Sequence, residues 1–238
     1  MKVILFGATG MVGQGVLREC LLDPNVEWIL SVGRSSVGID HPKFREIVHR
    51  DLMRYSAIES QLVGFDACFF CLGVSSAGTK PEEYERITYG ITLAAAETLA
   101  RLNPQLTFVY VSGAGTDSSE QGRSDWARVK GRTENALLRL PFKAAYMFRP
   151  GFIELKAGIR SKSAFYRLFY LLARPVMPLL RLAFPNSILT TEQLGRAMIA
   201  VVQGAESKRI LESRDILALS RITQPTNKGL VENNKRLL

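Results

Sequence analysis

The chain is poor in the residues that disulfide or metal chemistry needs. Its 238 residues hold three cysteines and two histidines. An odd, low cysteine count in a chain of this length excludes a disulfide scaffold and fits a reducing compartment; a cytoplasmic location is the expectation. Cys68 and Cys71 form a single C-x-x-C with no second pair, so no metal site is expected. There is no G-x-S-x-G nucleophile elbow. No stretch of about 18 uncharged apolar residues exists, so no membrane span is expected. The first six residues include five apolar ones before Gly7. That falls short of the ~7–15-residue apolar core of a secretory signal. Acid is the scarcer charge: 22 Asp+Glu against 31 Lys+Arg leaves +9. The excess suits anionic partners such as a phosphorylated cofactor, a nucleic acid or an acidic membrane surface. No basic run or recognition motif appears, so no specific nucleic-acid partner is expected.

What is present is ordinary globular material, 47% hydrophobic and 22% charged. A chain this long buries roughly 70% of its unfolded surface and needs no staple. Short apolar runs alternate with amphipathic stretches over the first 150 residues. Strands are expected at 3–6, 28–32, 44–48, 66–72, 106–112 and 143–149. Helices are expected at 11–22, 81–102 and 125–139, the second opened by Pro81. Such alternation predicts βαβ units and an α/β, doubly wound parallel sheet of the Rossmann type. A single domain is expected over 1–220, with 151–205 contributing a small helical C-terminal substrate lobe and 221–238 a loosely packed tail. Within the lobe a helix at 190–203 is capped by Thr190 or Thr191, and a last short strand falls within 209–219.

The strongest motif is Gly7-Ala8-Thr9-Gly10-Met11-Val12-Gly13, at the junction of the first strand and first helix. Its glycines permit a tight turn, a close backbone approach to a pyrophosphate, and tight helix–strand packing. The helix start supplies N–H donors and a positive dipole. Gly7, Thr9, Gly10, Met11, Val12 and Gly13 are therefore candidate dinucleotide contacts. About 20 residues beyond the loop, NAD binders place an acid for the ribose 2′-hydroxyl. Here that window reads Val32-Gly33-Arg34-Ser35 and holds none. Arg34 offers a planar donor fork for a 2′-phosphate and Ser35 a hydroxyl, so NADP(H) is the expected cofactor.

The phosphate loop, Arg34, Asp51-Leu52, Cys71-Leu72-Gly73 and the pair Ser112…Lys130 together resemble the short-chain dehydrogenase/reductase superfamily. The likeness is closest to its atypical branch, with Tat-interacting-protein-like and sugar-epimerase-like members, and covers roughly residues 1–220. The resemblance implies a Rossmann fold with about seven strands. It implies that Asp51 and Leu52 flank the adenine, that Leu72-Gly73 pass the adenosine ribose, and that Arg149-Pro150-Gly151-Phe152 pass the nicotinamide side. It also implies a Ser, Tyr and Lys active site with the last two spaced Y-x-x-x-K: Tyr as acid/base, Lys on the ribose, Ser orienting the substrate. Ser112 and Lys130 match. Four residues before Lys130 stands Trp126, whose indole is a donor only and does not exchange protons in this range. General acid/base help is worth ~10²–10⁴ in rate, so conventional alcohol–ketone chemistry should be slow or absent. Ser124, Asp125 and Tyr110 are the candidate replacements, with Tyr110 better read as core; water or an activated substrate is the other route.

Two function classes follow: an NADP-dependent oxidoreductase or epimerase-like enzyme acting on a small molecule, and a non-catalytic NADP(H)-sensing module. Residues 163–184 are apolar, studded with Arg167, Arg174 and Arg181 and broken by Pro175 and Pro178. They admit three readings: a lid or pocket wall, a homodimer or partner surface, and a peripheral membrane surface. Cys68 and Cys71 are expected as buried structural residues, and His41 and His49 as solvated or structural ones.

Overall fold

The computed structural model describes residues 1–154 and 188–222. The segment 163–184, with its three readings, and the tail from 223 lie outside the described residues. The described chain forms β1 (Lys2–Phe6), α1 (Met11–Leu22), β2 (Trp28–Gly33), β3 (Phe44–Val48), β4 (Ala67–Phe70), α2 (Pro81–Glu85), α3 (Thr92–Leu102), β5 (Thr107–Val111), α4 (Asp125–Arg139) and β6 (Ala144–Arg149). Then come β7 (Phe152–Glu154), β8 (Ile188–Thr190), α5 (Thr191–Val202), β9 (Ile210–Glu212) and α6 (Ser213–Leu219).

Seven strands form one parallel sheet in the order β3-β2-β1-β4-β5-β6-β9. Strand order reverses between β1 and β4, and in open α/β sheets ligands bind outside the strand carboxyl ends at such a switch point. The central strands β1, β4 and β5 are buried on both sides because both faces are covered, whereas the edge strand β3 exposes Arg45 and Glu46. Val3, Leu5, Ala67 and Phe69 point into a core shared with α1, α5 and α6. Ile4, Phe6, Cys68 and Phe70 point into a second core with α3 and the neighbouring loop residues Leu52, Tyr55 and Leu62.

Three features differ from the sequence expectation. The helix expected over 81–102 is helical throughout, but a π-helical segment, Arg86–Ile91, joins α2 to α3 and packs against α4. The strand expected within 209–219 is confined to Ile210–Glu212. The rest is α6, started by a reciprocal cap in which the Glu212 side chain takes the Asp215 N–H and the Asp215 side chain takes the Glu212 N–H. A second, two-stranded parallel sheet pairs β7 with β8. The expected cap at Thr190 is present: its hydroxyl accepts from Gln193 N and Gln193 reaches back to Thr190 N.

α5 lies directly on α1. A Cβ at Gly15 would sit 2.3 Å from Thr191 Cβ, so this crossing needs glycine. Beside it Arg18 bridges Glu19 and Glu192 at 2.7 and 3.0 Å. Burial pushes the Glu19 carboxyl above its ordinary range, against the pull of Arg196 and Arg18.

Candidate dinucleotide and active site

The first wall of the crevice is the turn from β1 into α1. Gly7 has φ +81, and a Cβ there would lie 2.7 Å from the backbone of Cys71 and Leu72. Gly13 is tighter: its Cβ would fall 2.0 Å from Gly7 O. Gly10 N donates to Gly7 O at 2.8 Å and closes the turn. The side chain of Gln14 donates to Thr9 O at 3.1 Å and ties the loop to the helix. Gly10 caps α1 without a side chain, and the first turn carries no acid. The helix start is thus a positive dipole end with no built-in anion opposing it. Met11 and Val12 are half-buried beside it.

At the next strand ends, Gly73 and Gly113 face open space. Arg34 and Ser35, just past β2, are exposed, and Arg34 forms no ion pair among the described residues. Glu46 on β3 is engaged by the Ser36 hydroxyl and by Val37 N at 2.7 Å. Asp51 is exposed and accepts the Met53 N–H at 3.0 Å, whereas Leu52 is buried in the core. Pro150 is buried, Gly151 exposed and Phe152 half-buried.

The second wall is the end of β5 with α4. Ser112 is buried, and its Oγ lies 2.9 Å from Thr116 Oγ1. Thr116 donates its one proton to Gly113 O at 2.8 Å. Ser112 therefore donates to Thr116 and is left with lone pairs. In this arrangement it suits a substrate hydroxyl better than a carbonyl. Lys130 Nζ donates to Ser112 O at 3.0 Å and lies 5.5 Å over the Tyr110 ring. Burial pulls its pKa down to about 8, with Glu134 opposing. Residues i and i+4 share a helix face, so Trp126 lies one turn from Lys130 on the same side. Its indole rests on Gly115, whose added Cβ would meet Cη2 at 3.4 Å.

Neither side-chain candidate with a clear surrounding replaces a catalytic Tyr. Asp125 is ion-paired to Arg128 and lines a separate 350 Å³ cleft with Tyr84, Val129 and Arg132. Tyr110 is buried among Phe70 and Phe108, hydrogen-bonded to Thr133, and its phenol is pushed upward by burial. Ser124 is exposed at the start of α4.

Sequence reasoning missed Thr116, Glu134 and Asp117. Glu134 is wholly buried and takes Arg149 Nε at 3.0 and 3.2 Å on its two oxygens. Asp117 folds the loop before α4 by accepting from Ser119 N and Gly122 N. A Cβ at Gly131 would lie 1.7 Å from Asp117 O. The glycine in Lys130-Gly131 was the available signal for that contact. Cys68 and Cys71 belong to opposite faces of the sheet, as their spacing in a strand requires, and both are free. His41 Nδ1 accepts Lys43 N, and His49 Nε2 lies 2.6 Å from Arg54 O, so both are tied to local turns. Among the described residues there is no metal-binding cluster and no helix long and apolar enough to cross a membrane.

No protein-family model matches the chain. Mitochondrial protein FMP52-2 of Scheffersomyces stipitis is 30% identical over 152 residues, 63% of this chain and 65% of that protein. Protein HTATIP2 of Rattus norvegicus is 25% identical over 153 residues, 63% of this chain and 62% of its own length. The chain thus spans a little under two thirds of either relative. A Burkholderia thailandensis oxidoreductase of the short-chain dehydrogenase/reductase family superposes with TM-score 0.64 at 14% identity, over 91% of this chain and 92% of that one. The resemblance to the atypical short-chain dehydrogenase/reductases holds in both sequence and fold. The Bordetella bronchiseptica enzyme WbmF, solved in complex with NAD+, superposes with TM-score 0.62 at 14% identity, over 93% of this chain and 78% of that one.

The expectation of a cytoplasmic location is overturned. The FMP52 relatives of this chain are mitochondrial proteins by name, in Candida albicans and Emericella nidulans as well as Scheffersomyces stipitis. Free thiols argue against oxidising compartments but do not choose among reducing ones.

Proposed function

We propose that the chain binds NADP(H) across the switch point between β1 and β4 and acts on a small molecule as an oxidoreductase or epimerase-like enzyme. The carrying observation is the glycine cradle at Gly7, Gly10 and Gly13 against an acid-free helix start. A bound nicotinamide would supply hydride chemistry. Arg34 and Ser35 are exposed and offered for a 2′-phosphate; the segment at the end of β2 holds no acid of its own, and Glu46 of the neighbouring strand is taken up by Ser36 and Val37 N. Asp51 flanks the adenine, and Leu52, whose side chain is committed to the core, offers its backbone. Leu72 and Gly73 run past the adenosine ribose, and Pro150, Gly151 and Phe152 past the nicotinamide. Lys130 holds the nicotinamide ribose. Ser112 orients the substrate oxygen, with Thr116 setting which way its proton points. Trp126 offers no proton, so water or the substrate itself carries that step.

A second reading rests on the same Trp126: a binding module that senses NADP(H) without turning it over. One pair of measurements separates the two. Calorimetry compares NADPH with NADH, and NADPH oxidation is then followed with aldehydes, ketones and quinones. NADPH-selective binding with turnover supports the enzyme. Selective binding without turnover supports the sensor. Absence of binding to either nucleotide sinks both.

A further inference from the structure

Lys130 is a half-buried cation at the centre of the candidate site, and its surroundings leave it short of negative charge. From β5 it meets Ser112 O and the face of Tyr110. Tyr84 of α2 stands behind that ring as a further ionisable neighbour. On its own helix Glu134 lies one turn on along the same side, acting on Lys130 through its charge rather than through an ion pair. That carboxylate is wholly buried, and Arg149 of β6 grips both of its oxygens. Arg149 in turn has Ser118 from the loop before α4 and Glu212 of β9, the latter at 3.5 Å. Two half-buried cations thus stand near one wholly buried anion, and an exposed acid tops up only Arg149.

We infer that Glu134 is a positioning residue: its carboxylate, held by Arg149 one helical turn from Lys130, keeps Lys130 charged where it reaches Ser112. A buried ammonium loses its proton unless an opposite charge sits close by. The same carboxylate joins α4, the helix that carries Lys130, to β6 just before Pro150-Gly151. The effect on cofactor binding rests on the NADP(H) reading above, whereas the charge assignment does not.

The test begins on the full-length protein without cofactor. Lysine is labelled with ¹³C, and the Lys130 ε-carbon, assigned by its loss in Lys130→Arg, is titrated by NMR. The wild type should titrate near the expected 8. In Glu134→Gln the midpoint should fall by about one pH unit, a tenfold change in the proton equilibrium. In Glu134→Asp, which keeps the charge, it should return most of the way. In Arg149→Gln it should rise, because Lys130 then has the carboxylate to itself. A purely structural role for Glu134 would not produce shifts of opposite sign. NADPH affinity is then measured against pH. A ribose-holding lysine that is charged in the complex makes the bound state carry more protons than the free one. Affinity should therefore be full below the free-state midpoint and weaken above it, starting at lower pH in Glu134→Gln. An unmoved Lys130 titration in Glu134→Gln overturns the inference. If that variant does not fold, Arg149→Gln decides: a rise supports the assignment and no rise overturns it. If the wild type binds NADPH at no pH, the cofactor reading fails and the lysine titration alone decides Glu134.

Discussion

The two walls of the crevice are built to the same tolerance and differ in what they retain. At the wall of β1 and α1, Gly13 leaves 2.0 Å between an imagined Cβ and Gly7 O. At the wall of β5 and α4, Gly131 leaves 1.7 Å to Asp117 O. Both turns are fixed by backbone contacts that only glycine allows. The first keeps three close-packed glycines and an acid-free helix start. The second brings Lys130 to Ser112 and carries Trp126 one turn before the lysine, the position that the proposed reading compares with a catalytic Tyr. Frame and chemistry are thus separable: the close helix–loop packing that aims Lys130 does not depend on which side chain stands one turn before it.

The sharpest way to break this comparison is Trp126→Tyr. If the second wall has lost only its acid, the variant should gain about 10²–10⁴ in NADPH-dependent carbonyl reduction over the wild type, measured as kcat/KM with a quinone or aldehyde. An unchanged rate would mean that the geometry has drifted as well, and a lowered one that Trp126 belongs to a specialised site. Next in size is Gly13→Ala. The added Cβ must push Gly7 O aside, and overpacking of this kind costs about 1–3 kcal/mol. Thermal unfolding should register that loss, and NADPH affinity should drop more steeply than stability because the N–H groups of the helix start move with the loop. If Gly13→Ala binds NADPH normally, the cradle is a packing device only.

How much of this was legible in the sequence depends on the range of the interaction that decides each feature. The sheet and the phosphate loop are local patterns: apolar runs at strand length, and glycines at a strand–helix junction. The cysteine pair could be placed on opposite sheet faces from strand periodicity alone. The π segment Arg86–Ile91 could not, because it is a register choice made against α4. The short strand expected within 209–219 is there at Ile210–Glu212, but nothing in the apolar Ile216, Leu217 and Leu219 announces the helix at Ser213–Leu219 until the Glu212–Asp215 cap is noticed. Glu134 reads as a surface acid on an amphipathic helix. Its burial is decided by Arg149, 15 residues away on another element. Thr116 was hidden for the same reason: a hydroxyl four residues past Ser112 has no meaning until the loop folds back.

Two smaller substitutions sharpen the contrast. Arg34→Ala should weaken NADPH by about tenfold or more, the worth of a hydrogen bond to a charged group, and leave NADH unchanged. Equal losses for both nucleotides would remove the 2′-phosphate assignment.

The smallest expected effect is Asp125→Asn, and its smallness is the point. Asp125 stands next to Trp126, so it is the obvious heir to the missing proton. Its side chain is 72% exposed and already paired with Arg128 three residues on. It lines a cleft with Tyr84, Val129 and Arg132 whose wall does not include Lys130 or Ser112. Exposed pairs of this kind contribute about 0–1 kcal/mol. Stability and any NADPH-dependent turnover should therefore change by less than about twofold, a difference near 0.4 kcal/mol. A loss on the scale of ~10²-fold or more in kcat at unchanged KM would instead identify Asp125 as the acid. The second wall would then have moved its proton donor by one residue rather than lost it, and the contrast between the two walls would disappear.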